Sequence, residues 1–224
     1  MRCVAIIPAR GGSKRIPKKN IKTFIDKPII AYSIEAAIRS GIFCEVMVST
    51  DSQEISEIAV KYGAKIPFLR SDKCSNDYAT TNDVLYEVLD NYKDMGEEFD
   101  AICCIYPTAP FVTSQKLKDA YKLLEDGANS VMPVVKYSFP PQRAMIIKDN
   151  ILDYQYPKFS QLRSQDMVPI YHDCGQFYFY RLVDGKFLDG EYTPIIVPEL
   201  EVQDIDTYED WKLAEIKYEL MMEE

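Results

Sequence analysis

At 224 residues, 47% of them hydrophobic, the chain has enough apolar material for one large domain, or one domain carrying an insert. A net charge of -9 argues against a general nucleic-acid binder, which presents a basic face. No apolar stretch approaches the roughly 20 residues that span a bilayer, so no membrane partner is expected.

In chain order, the apolar run Cys3-Val4-Ala5-Ile6-Ile7 reads as a buried first strand. The chain enters this strand at once, which leaves no room for a signal peptide, so a cytoplasmic location is expected. Next comes IPARGGSKRIPKKN, Ile7 to Asn20. From Arg10 to Lys22 there are six basic residues (Arg10, Lys14, Arg15, Lys18, Lys19, Lys22) and no acidic one, against the balance of the whole chain. Gly11, Gly12 and Ser13 form a turn whose backbone N–H groups a ligand can approach closely, because glycine has no Cβ. Amides and crowded cations at the end of a first strand suit an anion, most plausibly a polyphosphate. The loop is neither a Walker P-loop nor the G-x-G-x-x-G dinucleotide fingerprint, and the missing fingerprint disfavours a dehydrogenase. The competing reading is a solvated basic loop. Against it, Pro8 and Pro17 stiffen the segment, and open α/β sheets bind ligands beyond their strand C-termini.

Helix-like and strand-like stretches then alternate. Ile30, Ile34, Ala37 and Ile38 fall at helical spacing, closed by Gly41. Glu45–Ser49 is strand-like, and Ile55, Ile58, Ala59 and Tyr62 form a stripe ending at Gly63. Val84, Leu85, Val88, Leu89 and Tyr92 make a third stripe before the buried-strand run Ala101–Ile105. Leu117, Ala120, Tyr121 and Leu124 make a fourth before Ser130–Val135. This rhythm predicts an α/β fold, Rossmann-like, with a mostly parallel sheet and helices on both faces. The rhythm breaks after Val135: residues 137–170 are rich in Pro, Tyr and Gln, with a turn expected at Asp149-Asn150, and read as an insert in a single domain spanning 1–224. Gln176–Tyr180 returns as a strand, and the tail is expected to form an amphipathic helix around Trp211, Leu213 and Ile216. The six cysteines include no C-x-x-C pair, and the chain has a single histidine, so reduced, mostly buried thiols are expected rather than zinc.

Before that last helix lies VQDIDT. In an extended segment Asp204 and Asp206 project to the same side, where two carboxylates can face one Mg²⁺. The competing reading is capping: Thr207-x-x-Asp210 has the form of a capping box, and an aspartate before a helix often serves as its N-cap. Asp51-x-x-Glu54 reads as a helix start, a structural role.

The stretch Pro8 to Asn20 resembles the signature loop of the CMP–nonulosonic-acid synthetases, the cytidylyltransferases that activate sialic acids and their relatives. VSTD at Val48–Asp51, FLR at Phe68–Arg70, YPTAP at Tyr106–Pro110, RSQD at Arg163–Asp166 and DIDT at Asp204–Thr207 follow in order. FPPQRA at Phe139–Ala144 and YHDCGQFY at Tyr171–Tyr178 are most similar to the pseudaminic acid branch. The resemblance implies Mg²⁺-dependent transfer of CMP from CTP to a nonulosonic sugar acid by a homodimer. Sialic, legionaminic and 3-deoxy-octulosonate acceptors are alternatives, as is a noncatalytic nucleotide-sugar-binding subunit. Expelling pyrophosphate calls for cations, which Arg10, Lys14 and Lys19 supply together with the amides of Gly11, Gly12 and Ser13. By resemblance Asn20 contacts the nucleotide, Arg70 and Thr81 hold the cytosine, and Asp204 and Asp206 hold the metal. Arg163 is expected to grip the acceptor carboxylate. His172-Asp173 stands where the sialate enzymes carry a second arginine. That departure points away from sialic acid itself, with a structural histidine as the competing reading. Phe139, Gln142 and Arg143 are further candidates for acceptor contacts. The insert is expected to cap the site or form a dimer contact.

Overall fold

The computed structural model describes residues 1–13, 15–188 and 190–223. Strand β1 (Cys3–Pro8) is followed by the basic loop and a small hairpin, β2 (Thr23–Phe24) and β3 (Lys27–Pro28). Helix α1 (Ile29–Ser40) ends on Gly41, whose φ of 66° is the left-handed conformation that glycine adopts without a Cβ clash. Next come β4 (Glu45–Ser49), α2 (Gln53–Lys61), the short α3 (Asp72–Ser75) and α4 (Thr81–Asp94). Then follow β5 (Ala101–Ile105), α5 (Ser114–Glu125) and β6 (Ser130–Lys136). A separate hairpin is formed by β7 (Met145–Lys148) and β8 (Ile151–Tyr154), and it precedes β9 (Tyr171–Asp173), β10 (Phe177–Val183), β11 (Lys186–Phe187) and β12 (Tyr192–Ile196). Helix α6 (Tyr208–Glu223) closes the chain's described part.

The main sheet runs in the order β12-β6-β10-β5-β1-β4, with β9 against β6 and β11 against β10. Strand β1 is parallel to β4 and β5, and β12 is parallel to β6. Strand β10 enters antiparallel between β5 and β6. The fold is therefore α/β with a parallel centre, as the alternating pattern predicts.

Both faces of β1 are covered, which is why its sequence is a continuous apolar run rather than an alternation. Cys3, Ala5 and Ile7 pack with Ile30, Ile34, Ile55 and Leu117, on the side of α1, α2 and α5. Val4 and Ile6 pack with Leu85, Val88 and Tyr178, on the side of α4. A third cluster joins Phe24, Tyr32, Phe111 and Trp211, which seats α6 beside the small hairpin.

Two apolar-stripe expectations need correction. Ile38 is 44% exposed, at the outer edge of its helix. On α6 it is Trp211 and Ala214 that are buried, while Leu213 and Ile216 are exposed. Trp211 packs edge-on to Phe24, and that contact rotates the buried face away from the positions that hydrophobicity alone suggests. The turn at Asp149-Asn150 forms, with φ of 51° and 63°, as the tip of the β7–β8 hairpin.

Candidate active site

Parallel pairing brings the C-terminal ends of β1, β4 and β5 to one edge of the sheet, where ligands of open α/β folds bind. The loop after β1 is held there at several points. The amide of Ala9 donates to the Ser49 carbonyl at 2.9 Å. Buried Asn20 donates its Nδ2–H to the carbonyl of Arg10 at 2.9 Å, bracing the backbone that carries the first arginine. The Gly11 amide donates to Asp51 Oδ1 at 2.8 Å. Asp51 is thus not the cap of α2: Ser52 is, accepting from the Ile55 amide. A Cβ added at Gly11 would stand 3.2 Å from Ser52 Cβ, a tight contact that would push the loop and the start of α2 apart by a few tenths of an ångström. At Gly12 a Cβ would meet nothing within 4 Å.

Arg10, Arg70 and Thr81 line one cavity of about 220 Å³, with Pro8, Asn76, Asp77 and Tyr106. Arg70 is only 7% exposed. Its Nε donates to Ser49 Oγ at 3.0 Å and its Nη2 to the Ser49 carbonyl at 2.6 Å. Burial pulls the Arg70 guanidinium below its ordinary value, an effect that the Asp51 and Glu87 charges oppose. A guanidinium fixed by neutral acceptors inside a polar cavity suits recognition of a hydrogen-bond-accepting ligand. Thr81 opens α4 just after its N-cap Thr80.

A second group of residues joins the basic loop to the segment before α6. Lys19 Nζ donates to the Ile205 carbonyl at 2.7 Å and stands 3.5 Å from Asp206 Oδ1. Arg15 Nη1 reaches Asp206 Oδ2 at 2.5 Å. Buried Ile205 separates the two more exposed aspartates, Asp204 and Asp206. The capping role falls to Thr207, whose Oγ1 accepts from the Asp210 amide at 3.2 Å while Asp210 Oδ2 accepts from the Thr207 amide at 2.8 Å. The aspartates before the helix are therefore not its N-cap. Among the described residues no cluster of three or more His, Cys, Asp or Glu side chains is arranged for a metal. Two aspartates one residue apart, Asp204 and Asp206, are within the number of carboxylates that Mg²⁺ takes, water and substrate oxygens completing its shell. Hard oxygen donors beside a cationic loop are the right chemistry, and Asp204 and Asp206 are the residues that would hold it.

The residues expected to hold the acceptor are spread over β9 and the segment before it. Asp173 accepts from Tyr178 Oη at 2.6 Å and from the Gly175 amide at 2.8 Å. Burial, then the Asp173 carboxylate, pushes the Tyr178 hydroxyl well above its ordinary value, so it stays a donor. The Tyr178 ring meets that of Tyr106 edge-on at 5.5 Å, which links β9 to the cavity wall. His172 is exposed, its Nδ1 is 2.9 Å from the Asp173 carbonyl, and its ring packs on Tyr137 at 4.6 Å. Arg163, Gln142 and Phe139 do not line the cavity. Arg163 is exposed and bonds Asp166 at 2.8 and 3.3 Å. Gln142 donates to the Val168 carbonyl at 2.8 Å, and Phe139 is 87% exposed. Lys14 lies outside the described residues.

A cytidylyltransferase family model matches residues 4–187. The chain belongs to the cytidylyltransferase family. Pseudaminic acid cytidylyltransferase of Campylobacter jejuni is 41% identical over 98% of this chain and 97% of its own length. CMP-N,N'-diacetyllegionaminic acid synthase of Legionella pneumophila is 34% identical over 100% of this chain and 99% of its own. Among solved structures, CMP:2-keto-3-deoxy-manno-octonic acid synthetase complexed with CTP shares the fold at a TM-score of 0.68, with 17% identity over the full length of both chains. For this cytidylyltransferase, sequence reasoning missed that three carboxylates, Asp51, Glu54 and Asp77, hold the basic loop. Asp51 carried a signal, since Ser52 beside it caps a helix as well as an aspartate does and leaves the Asp51 carboxylate available. Asp77 carried none, because its partner Arg10 is 67 positions away.

Proposed function

We propose that this cytidylyltransferase moves CMP from CTP to a nonulosonic acid, with pseudaminic acid the favoured acceptor, and releases pyrophosphate. The observation that carries the reading is the convergence of Arg10, Arg70 and Thr81 on one cavity at the strand ends, beside a loop rich in cations. In this reading Arg70 and Thr81 hold the cytosine, and Arg10, Lys19 and the loop amides take the triphosphate. The Gly11 amide, now bonded to Asp51, joins them only by leaving that partner. Donors aimed at the leaving group stabilise the charge that develops as the α-phosphorus is attacked. A bound Mg²⁺ at Asp204 and Asp206 would supply Lewis-acid polarisation of a phosphate oxygen. Lys19, bonded to the Ile205 carbonyl, keeps the two groups in register.

The acceptor side consists of His172 and Asp173 on β9, with Arg163, Gln142 and Phe139 from an insert at about 137–170 in a single domain of 1–224. Because those three side chains do not line the cavity of their own chain, we assign them to a contact with a second copy. Exposed Phe139, Ile147, Ile151 and Val168 support this, since a lone two-stranded hairpin is marginally stable in water. Sedimentation velocity is expected to give a dimer, and a monomer at micromolar concentration would refute that assignment. The reaction itself is tested by pyrophosphate release from CTP, Mg²⁺ and pseudaminic acid. Arg10→Ala and Lys19→Ala are expected to cut the rate at least tenfold with little change in Tm, since partly exposed ion pairs contribute only about 0–1 kcal/mol to folding. Wild-type rates in both folded variants would remove the basic loop from the reaction.

A further inference from the structure

Every described basic side chain from Arg10 to Lys19 already has an acidic partner. Arg10 pairs with Asp77 at 2.9 Å, Arg15 with Asp206 at 2.5 Å, Lys18 with Glu54 at 2.7 Å and Lys19 with Asp206 at 3.5 Å. The Gly11 amide is likewise taken by Asp51. A loop that receives a polyphosphate is thus neutralised by the protein's own carboxylates until the ligand arrives.

One of these pairs differs from the rest in where it lies. Arg10 extends from the loop after β1, while Asn76 and Asp77 belong to the turn between α3 and α4, and all three line the 220 Å³ cavity. Arg10 Nη1 donates to Asp77 Oδ1 at 2.9 Å and to the Asn76 carbonyl at 3.3 Å, so the bond ties two walls of that cavity together. The turn that presents Asp77 is itself ordered. Asn76 Oδ1 accepts from the amides of Tyr78 and Ala79 at 2.8 and 3.1 Å, which fixes the backbone on both sides of Asp77. The pair is half-exposed, with side-chain exposures of 38% and 47%, so it is weak enough to be exchanged.

We propose that Asp77 is a carboxylate latch on Arg10 that an incoming nucleoside triphosphate must displace and that a nucleoside monophosphate leaves closed. The inference rests on reading this cavity and loop as the CTP site. Arg10 cannot satisfy Asp77 and a phosphate group with the same N–H donors. A ligand with β- and γ-phosphates offers it more charge and more acceptors than the carboxylate does. A nucleoside monophosphate offers the loop no polyphosphate tail, so it leaves the latch closed. The latch therefore lowers CTP affinity slightly and widens the contrast between an open, CTP-loaded loop and a closed one that holds only CMP.

The test is calorimetric titration of the full chain with CTP and with CMP, for wild type, Asp77→Asn, Asp77→Ser, Arg10→Ala and Arg10→Ala/Asp77→Asn, each checked for Tm. Removing the latch is expected to tighten CTP by about twofold to fivefold, the range set by an exposed ion pair. CMP affinity should stay within twofold, and the Asp77→Asn effect should be clearly smaller once Arg10 is absent. If Asp77→Asn tightens CTP equally with or without Arg10, the carboxylate acts only as diffuse negative charge and the latch is refuted. Unchanged or weakened CTP binding in both folded Asp77 variants refutes it too, as does equal tightening of CMP. Failure of wild type to bind CTP at all would instead overturn the functional reading beneath it.

Discussion

The Asp206 carboxylate accepts from Arg15 at 2.5 Å and faces Lys19 at 3.5 Å, yet takes no part in capping the helix that begins two residues later, to which Asp206 contributes only its backbone amide. Asparagine at this position keeps the shape and loses the charge, and a neutral amide is a poorer ligand for a hard cation. Asp206→Asn is therefore expected to lose at least tenfold in turnover while Tm changes little, because half-exposed ion pairs contribute only about 0–1 kcal/mol. Thr207→Ala is the complement: loss of the cap should cost about 1 kcal/mol of stability with most of the turnover kept. Thermal unfolding and steady-state rates on both variants decide it. Near-normal turnover in folded Asp206→Asn would end the metal assignment. The capping box was legible in the sequence from its Thr-x-x-Asp spacing. The partners of Asp206 were not, because Arg15 lies 191 positions away and the two meet through a shared core of Ile16, Phe24, Ile205 and Trp211.

Two helices begin with reciprocal caps, α4 at Thr80 and Asp83 and α6 at Thr207 and Asp210. Hydrogen bonds from the threonine hydroxyl and then its backbone amide hold both aspartates below their ordinary carboxylate value. A carboxylate depressed in the folded state stabilises the fold above its unfolded value, near pH 4, and loses that contribution as pH falls through the folded value. Stability should therefore drop below about pH 4, and Asp83→Asn should flatten part of that drop in a Tm–pH series. An unaltered slope would mean that the cap has no linked proton. These ends matter because Thr81 on α4 reaches the cavity and α6 sets the height of residues 204–206. Elements of this kind were readable because helix starts are written locally. Strand spans were as well: Ala101–Ile105 forms as expected because a strand buried on both faces is continuously apolar, and Glu45–Ser49 forms at the sheet edge around its apolar Val46-Met47-Val48. The exposed sides of Ile38, Leu213 and Ile216 were not readable, because which apolar face is covered depends on partners elsewhere in the chain.

At the scale of the molecule, the nucleotide side and the acceptor side differ in how much one chain supplies. Arg10, Arg70 and Thr81 converge within a single chain, whereas Arg163 is turned to its own Asp166 and Phe139 to solvent. The loop after β1 was legible because its charge runs against that of the chain and its place at a strand end follows from the topology. The neutralisation of that loop by Asp51, Glu54 and Asp77 was not, since each partner lies 36 or more positions away. His172 tests the acceptor side most simply: it lies exposed on β9, outside the basic loop, and presents an imidazole that can donate or accept a hydrogen bond. The most direct measurement of the whole account is kcat/KM for wild type and His172→Ala with CTP, Mg²⁺ and a panel of pseudaminic, legionaminic, N-acetylneuraminic and 3-deoxy-octulosonic acids, with products read by mass. The account predicts a CMP-linked product and preference for pseudaminic acid in wild type, and in His172→Ala a fall in acceptor kcat/KM of roughly tenfold with CTP affinity intact, as expected when a matched polar contact is removed. No CMP-linked product with any of these acids, from folded protein that binds CTP, would contradict it.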